Sequence, residues 1–149
     1  MVICCDASLS GLGFWSPQAG QGFASTLPPT PNTEDTIFWY EALCVLAALS
    51  WAAALPQVPS KLLIYTDNLN TVQIFDSFKA RAGYNDLLFR AAEILMASHI
   101  NLRVHHIPGE KNTVADALSR GLFNVVRQYE PSLRVHGFSP PRSTLGSQG

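Results

Sequence analysis

With 149 residues, 47% of them hydrophobic and 14% charged, the chain is long enough for one domain with a real apolar core and too apolar to be disordered throughout. A net charge of −1, from 10 basic and 11 acidic residues, lacks the basic excess of a free-standing nucleic-acid binder. Cys4, Cys5 and Cys44 fit no zinc spacing and read as buried thiols in a reducing compartment.

Residues 2–6 form a short β-rich run that follows Met1 directly. No signal peptide is visible, and the run reads as a domain cut from a longer polypeptide, intracellular, either cytoplasmic or nuclear. Period-2 alternation places Val2, Cys4 and Asp6 on one face and Ile3 and Cys5 on the other. Asp6 ends the strand, at a sheet edge where a site could form. Ser8-Leu9-Ser10-Gly11 is a turn, and strands at 12–15 and 22–27 complete an antiparallel meander of three.

Residues 28–35, with three prolines, are a loop. A helix over 38–55 follows, apolar nearly all round, which only a helix covered on several sides tolerates. Its most apolar run, 42–55, is 14 residues, short of the roughly 20 that a membrane span needs. It is therefore the central buried helix, and Glu41 lies in its first turns. Residues 61–66 are a fourth strand that ends at Asp67, where open α/β sheets place their ligands. Asn68 caps a helix over 69–78, a mildly basic link covers 79–83, and a further helix runs over 85–98 with Leu87, Leu88, Ala91, Ile94 and Leu95 at helical spacing.

The chemistry gathers after a fifth strand, 102–106. Pro108 and Gly109 break that strand, and Asn112 is a good N-cap for a helix with Val114, Ala115, Leu118 and Leu122 on its apolar side. Asp116 falls in or just after the first turn, where the helix dipole favours its ionised form. From Pro131 onward Pro, Ser and Gly make up 10 of 19 residues, so 124–149 reads as a linker or tail after a catalytic domain at 1–123. The order predicts an α/β domain with a five-stranded mixed sheet, three antiparallel strands and then two parallel additions, around a central long helix with flanking helices. Asp6, Glu41, Asp67 and Asp116 come from four different elements. Such a set suits hard cations, Mg²⁺ in particular, and two ions about 4 Å apart are the usual device for in-line phosphoryl displacement.

On these residues the chain resembles the ribonuclease H domain of retrotransposon reverse transcriptases, of the gypsy or tyrosine-recombinase (DIRS-like) type and fungal in flavour. The matching pieces are Asp6-Ala-Ser8 with Gly11-Leu-Gly13, Glu41-Ala-Leu-Cys-Val-Leu, Tyr65-Thr-Asp67-Asn68 and His106-Ile-Pro-Gly-Glu-Lys-Asn112-Thr-Val-Ala-Asp116-Ala-Leu-Ser-Arg120. The likeness spans 2–122. It implies an RNase H-like fold and hydrolysis of the RNA strand of RNA–DNA hybrids with two Mg²⁺ ions, Mn²⁺ being a substitute. Asp6 would bridge both ions, Asp116 would complete the water-activating one, and Glu41 and Asp67 would hold the other. His106, ten residues before Asp116, would assist proton transfer or product release from a mobile loop. Ser8, Asn68, Tyr84, Asn85 and Asn112 would contact the hybrid, and His105, of opposite strand parity, is structural. Trp15, Trp39, Tyr40 and Trp51 read as packing residues rather than base-stacking platforms.

One departure concerns affinity. Cellular members carry a basic helix and loop between the third and fourth acids, whereas here only Lys79, Arg81 and Arg90 precede Arg103 in that interval. Lys79, Arg81, Lys111 and Arg120 remain near the expected site, while Arg127, Arg134 and Arg142 fall in the expected tail. Weak binding by the isolated domain follows, with an upstream polymerase domain of the same polyprotein delivering the hybrid. Two alternatives stay open: a catalytically silent module packed on a polymerase, and a DNA-strand-transferring nuclease of the same superfold, which would end on Glu rather than Asp116.

Overall fold

The fold was read from a computed structural model, which describes residues 1–29, 36–79 and 83–141. Its strands are β1 (Val2–Ala7), β2 (Leu12–Ser16), β3 (Gln21–Ser25), β4 (Lys61–Thr66), β5 (Asn101–His106) and β6 (Arg134–Gly137). They form one sheet in the order β5-β4-β1-β2-β3-β6. β1 to β3 are the antiparallel meander, while β4, β5 and β6 each join in parallel. β1 is central because Ile3 and Cys5, both fully buried, alternate with residues on the opposite face.

One face of the sheet carries α1 (Thr36–Ala53), α2 (Leu69–Ser77) and α3 (Asn85–Ser98). α1 lies against β1 and β2 and is flanked by α2 and α3, so it is covered on several sides, and Trp39, Leu43, Leu46 and Leu49 are almost fully buried. Each such side chain contributes about 1.5–3 kcal/mol of burial. α1 is long and apolar enough to cross a membrane by composition alone, but most of it is buried inside this domain. The expected packing roles of the aromatics hold: Trp39 and Tyr40 are buried, and Trp51 stacks obliquely on Phe14 and Phe23.

The other face carries α4 (Thr113–Arg120) and α5 (Phe123–Tyr129). Val114, Ala117, Leu118 and Val126 form a second apolar cluster there, against Trp15, Ala24 and Leu133. Two glycines allow the close approach. A Cβ on Gly13 would lie 2.6 Å from the Leu118 Cβ and the Ser119 N, and one on Gly11 would lie 2.8 Å from the Ser119 carbonyl oxygen. The Gly11-Leu-Gly13 pair is thus the seat of α4.

Three expectations need correction. The sheet has six strands, not five, and the sixth arises inside the stretch read as a tail. α5 and β6 both fall within 124–149 or at its border, and residues 142–149, including Arg142, lie outside the described residues. Arg-Val-His-Gly carries no readable alternation, and what makes it a strand is the open edge of β3, with which it pairs from Gln21 to Ala24. Leu133 anchors it by packing over Gly22, whose added Cβ would meet the Leu133 Cδ2 at 2.8 Å. Second, Leu122 is not on the apolar side of α4. Gly121, at φ +70°, ends the helix in the left-handed region, and Leu122 is left half-exposed. Third, Asn112 stands at the helix N-terminus but makes no side-chain cap, and its amide donates to the Cys5 carbonyl oxygen at 2.8 Å. Arg81 and residues 30–35 of the proline-rich loop also lie outside the described residues.

Candidate metal centre

Three of the four acids meet at one end of the central strands. One ligand oxygen from each of Asp6, Glu41 and Asp67 lies within 4.8 Å of the others. Asp6 comes from β1, Asp67 follows the adjacent parallel β4, and Glu41 reaches in from the second turn of α1. Glu41 is held from two sides: the Ala7 N–H donates to its Oε1 at 3.1 Å and the Thr66 hydroxyl to its Oε2 at 3.3 Å. Thr66 is fully buried and its Oγ1 in turn accepts from the Asn68 N–H at 3.3 Å.

Asp116 stands at the rim, its side chain 41% exposed and paired with Arg120 Nε at 2.9 Å. The sheet register explains its position, since Asp6 pairs with Gly13 and α4 sits directly on Gly13. The Asn112 amide ties the start of α4 to the residue before Asp6. Its Oδ1 is buried without a partner. Cys44, one helical turn beyond Glu41, places its thiol 3.4 Å from the Asp6 carbonyl oxygen and 3.2 Å from that of Gly13, which fixes α1 to β1 and β2.

Burial pushes the Asp6 carboxyl up to about 10, with the Glu41 and Asp67 charges adding to the effect. Glu41 rises to about 8, again chiefly through burial, although its bonds from Asp6 and Ala7 oppose the shift. Asp67 is raised by burial and by Asp116, while hydrogen bonding from Asp6 and the charge of His106 act the other way. Three acids so placed do not all ionise unaided near neutral pH. An all-oxygen, partly water-accessible donor set of this kind fits a hard divalent cation, and Asp6, Glu41 and Asp67, with Asp116 beside them, are the residues that would hold it.

The other expected site residues divide. His106 is the last residue of β5, exposed, and opposite Thr66 in the register, which puts it beside Asp67. Its loop is pinned by Ile107 N–H to the Thr66 carbonyl at 2.9 Å and contains a 3-10 turn, Gly109–Lys111. Gly109 presses on the site, since a Cβ there would lie 3.3 Å from Asp67 Oδ2. His105 packs edge-on against Tyr65. Asn68 caps α2, its Oδ1 accepting from the Thr71 N–H at 2.9 Å. Asn85 is exposed at the start of α3.

Two assignments fail. Tyr84 is a core residue, 2% exposed and stacked on Phe38 at 4.7 Å, so its ring has no surface to offer a hybrid. Ser8 is buried, donating to the Ser119 carbonyl oxygen at 3.0 Å and accepting from the Ser10 N–H, which makes it a clamp between β1 and α4. Thr66, Gly109 and Cys44 are the site residues that sequence reasoning missed. Each lies inside a quoted motif, but nothing in the sequence distinguishes a supporting residue there from any other.

No protein-family model and no curated protein matches the sequence. Solved structures do match in shape. They include LC11-RNase H1 in complex with RNA/DNA hybrid (TM-score 0.65, 18% identity, 78% of this chain and 91% of that one). RNase H1 from the halophilic archaeon Halobacterium salinarum NRC-1 matches at TM-score 0.64 and 17% identity, over 83% and 96%. The N-terminal RNase H domain of Rv2228c from Mycobacterium tuberculosis matches at 0.62 and 17%, over 86% and 96%. At these identities the likeness establishes the fold, which is RNase H-like.

Proposed function

We propose that this chain is a metal-dependent endonuclease that hydrolyses the RNA strand of RNA–DNA hybrids, the ribonuclease H part of a retroelement reverse transcriptase. The observation that carries the reading is the convergence of Asp6, Glu41 and Asp67, with Asp116 at the rim, at one end of an RNase H-like sheet. When bound, divalent metal, Mg²⁺ or Mn²⁺, would neutralise this cluster and activate a water for in-line attack on phosphorus. Asp6, Glu41 and Asp67 hold the donor set rigid: the Ala7 N–H and Thr66 hydroxyl leave Glu41 little freedom to rotate. In the hydrolysis the water oxygen bonds to phosphorus, the bond from phosphorus to the leaving ribose oxygen breaks, and a proton ends on that oxygen. His106, exposed beside Asp67, moves that proton.

The retroelement context rests on the His106-Ile-Pro-Gly to Ala-Asp116-Ala-Leu-Ser-Arg120 ending, and it brings with it a polymerase domain as partner and an intracellular site of action. Labelled hybrid, duplex RNA and duplex DNA, each with Mg²⁺, test the activity. Cleavage of the hybrid alone is expected. No cleavage by a folded chain that binds Mg²⁺ would make it a silent structural module, and duplex DNA cleavage would make it a strand-transfer type nuclease.

A further inference from the structure

The fourth acid already has a cation. Asp116 Oδ1 accepts from Arg120 Nε at 2.9 Å, one helical turn further along α4. An acid one turn before a base is the favourable order for such a pair. Arg120 is also the last residue of α4, where the helix dipole favours positive charge. Its pKa is raised, first by the hydrogen bond and charge of Asp116, and the charge of Asp6 adds to the effect. Asp6, whose own pKa is raised chiefly by burial, shares a hydrogen bond with Asp116. The guanidinium therefore lies in the field of the acid cluster, on its Asp116 side.

The backbone beneath this pair is held firmly. Ser8 Oγ donates to the Ser119 carbonyl oxygen at 3.0 Å, and the Ser119 hydroxyl donates to that of Asp116 at 2.7 Å. The Asn112 amide ties the start of the helix to β1, and Gly13 leaves no gap between β2 and α4. Movement toward or away from Asp6, Glu41 and Asp67 is left to the side chains of Asp116 and Arg120, both partly exposed. As they stand, one ligand oxygen from each of Asp6, Glu41 and Asp67 falls within 4.8 Å of the others, and Asp116 is outside that group.

We infer that Arg120 is a built-in competitor for the metal, holding Asp116 at the rim by Oδ1, so that a divalent cation gains Asp116 as a ligand only by displacing the guanidinium. The inference rests on the proposed metal centre. Two cations drawn to one carboxylate repel each other, so an ion on the Asp116 side binds more weakly than the carboxylates alone would allow. Arg120 thereby sets the divalent-ion concentration at which the fourth acid joins the site. It is a positioning residue and touches no reacting atom.

The test is a Mg²⁺ titration of the ¹⁵N-labelled 149-residue chain, followed by NMR, for wild type, Arg120→Gln, Asp116→Asn and the double variant. Affinity is read from the backbone amides of β1 and α4. Arg120→Gln should bind Mg²⁺ about two- to fivefold more tightly than wild type, the factor that an exposed ion pair contributes. In the Asp116→Asn background the same substitution should change nothing. The wild-type Arg120 Nε–H resonance should move as Mg²⁺ saturates the site, which a purely structural helix pair would not do. Equal or weaker binding by Arg120→Gln, an equal gain in both backgrounds, or a still Nε–H resonance while the amides respond overturns the competition and leaves the metal centre standing. A folded wild type in which Mg²⁺ moves no resonance near Asp6 or Asp67 sinks the metal centre, and the competition with it.

Discussion

Thr66 is fully buried behind the acids, and its hydroxyl bonds Glu41 Oε2 while the Ala7 N–H bonds Oε1. Replacing it by valine keeps the shape and leaves that carboxylate oxygen without its donor. We expect Thr66→Val to weaken Mg²⁺ binding by about tenfold or more in calorimetry and Thr66→Ser to restore it, because a lost buried hydrogen bond to a charged group is worth about 1.5–3 kcal/mol. Equal Mg²⁺ affinity in all three proteins would remove Thr66 from the site. Asp67 contributes repulsion as well as a ligand. Asp67→Asn should abolish cleavage, raise the melting midpoint in EDTA and shrink the further rise produced by Mg²⁺. A lower midpoint in EDTA would contradict the electrostatics. His106, which donates no ligand to the cluster, behaves differently: His106→Ala should slow turnover by about 10- to 100-fold and leave Mg²⁺ affinity unchanged. Loss of metal binding in that variant would make the imidazole a ligand.

At the scale of elements, the position of Asp116 depends on two flat places, Gly11 just before β2 and Gly13 within it. Gly13 lies under Ala115, Leu118 and Ser119, and no side chain fits between strand and helix. Gly13→Ala must push α4 away from β1, since the atoms met at 2.6 to 2.8 Å include backbone. It should cost about 1–3 kcal/mol in urea unfolding, the usual range for overpacking, and it should reduce cleavage by more than its stability loss explains. Full activity in a folded variant would show that Asp116 tolerates displacement. The same dependence explains why the glycines were visible as a motif and silent as to purpose: the sequence carries the spacing, and the helix that needs it lies about a hundred residues later.

For the whole molecule, pH is the sharpest probe of the clustered acids. Asp6 moves from an ordinary 3.8 to about 10 in the fold, and Glu41 from 4.5 to about 8. Groups raised on folding are neutral in both states below about pH 4. Above that the unfolded chain ionises first, so their contribution to stability is lost as pH rises through the folded values. Melts in EDTA should therefore show a midpoint that falls from pH 5 to pH 9, and Mg²⁺ should suppress the fall; a midpoint that climbs with pH in EDTA would refute the arrangement. Local chemistry determined much of this molecule. Alternation placed β1 and β5, an apolar run placed β4, uninterrupted apolarity marked α1 as central, and the order and spacing of the acids pointed to a metal site before any contact was known. Those signals are legible because they depend on nearest neighbours along the chain. The tertiary structure decided the rest. It buried Tyr84 against Phe38, used Ser8 as a clamp and recruited Arg-Val-His-Gly to the open edge of β3. Each of these depends on a partner distant in sequence, and a side chain's access to solvent or an edge strand's register exists only once that partner is in place.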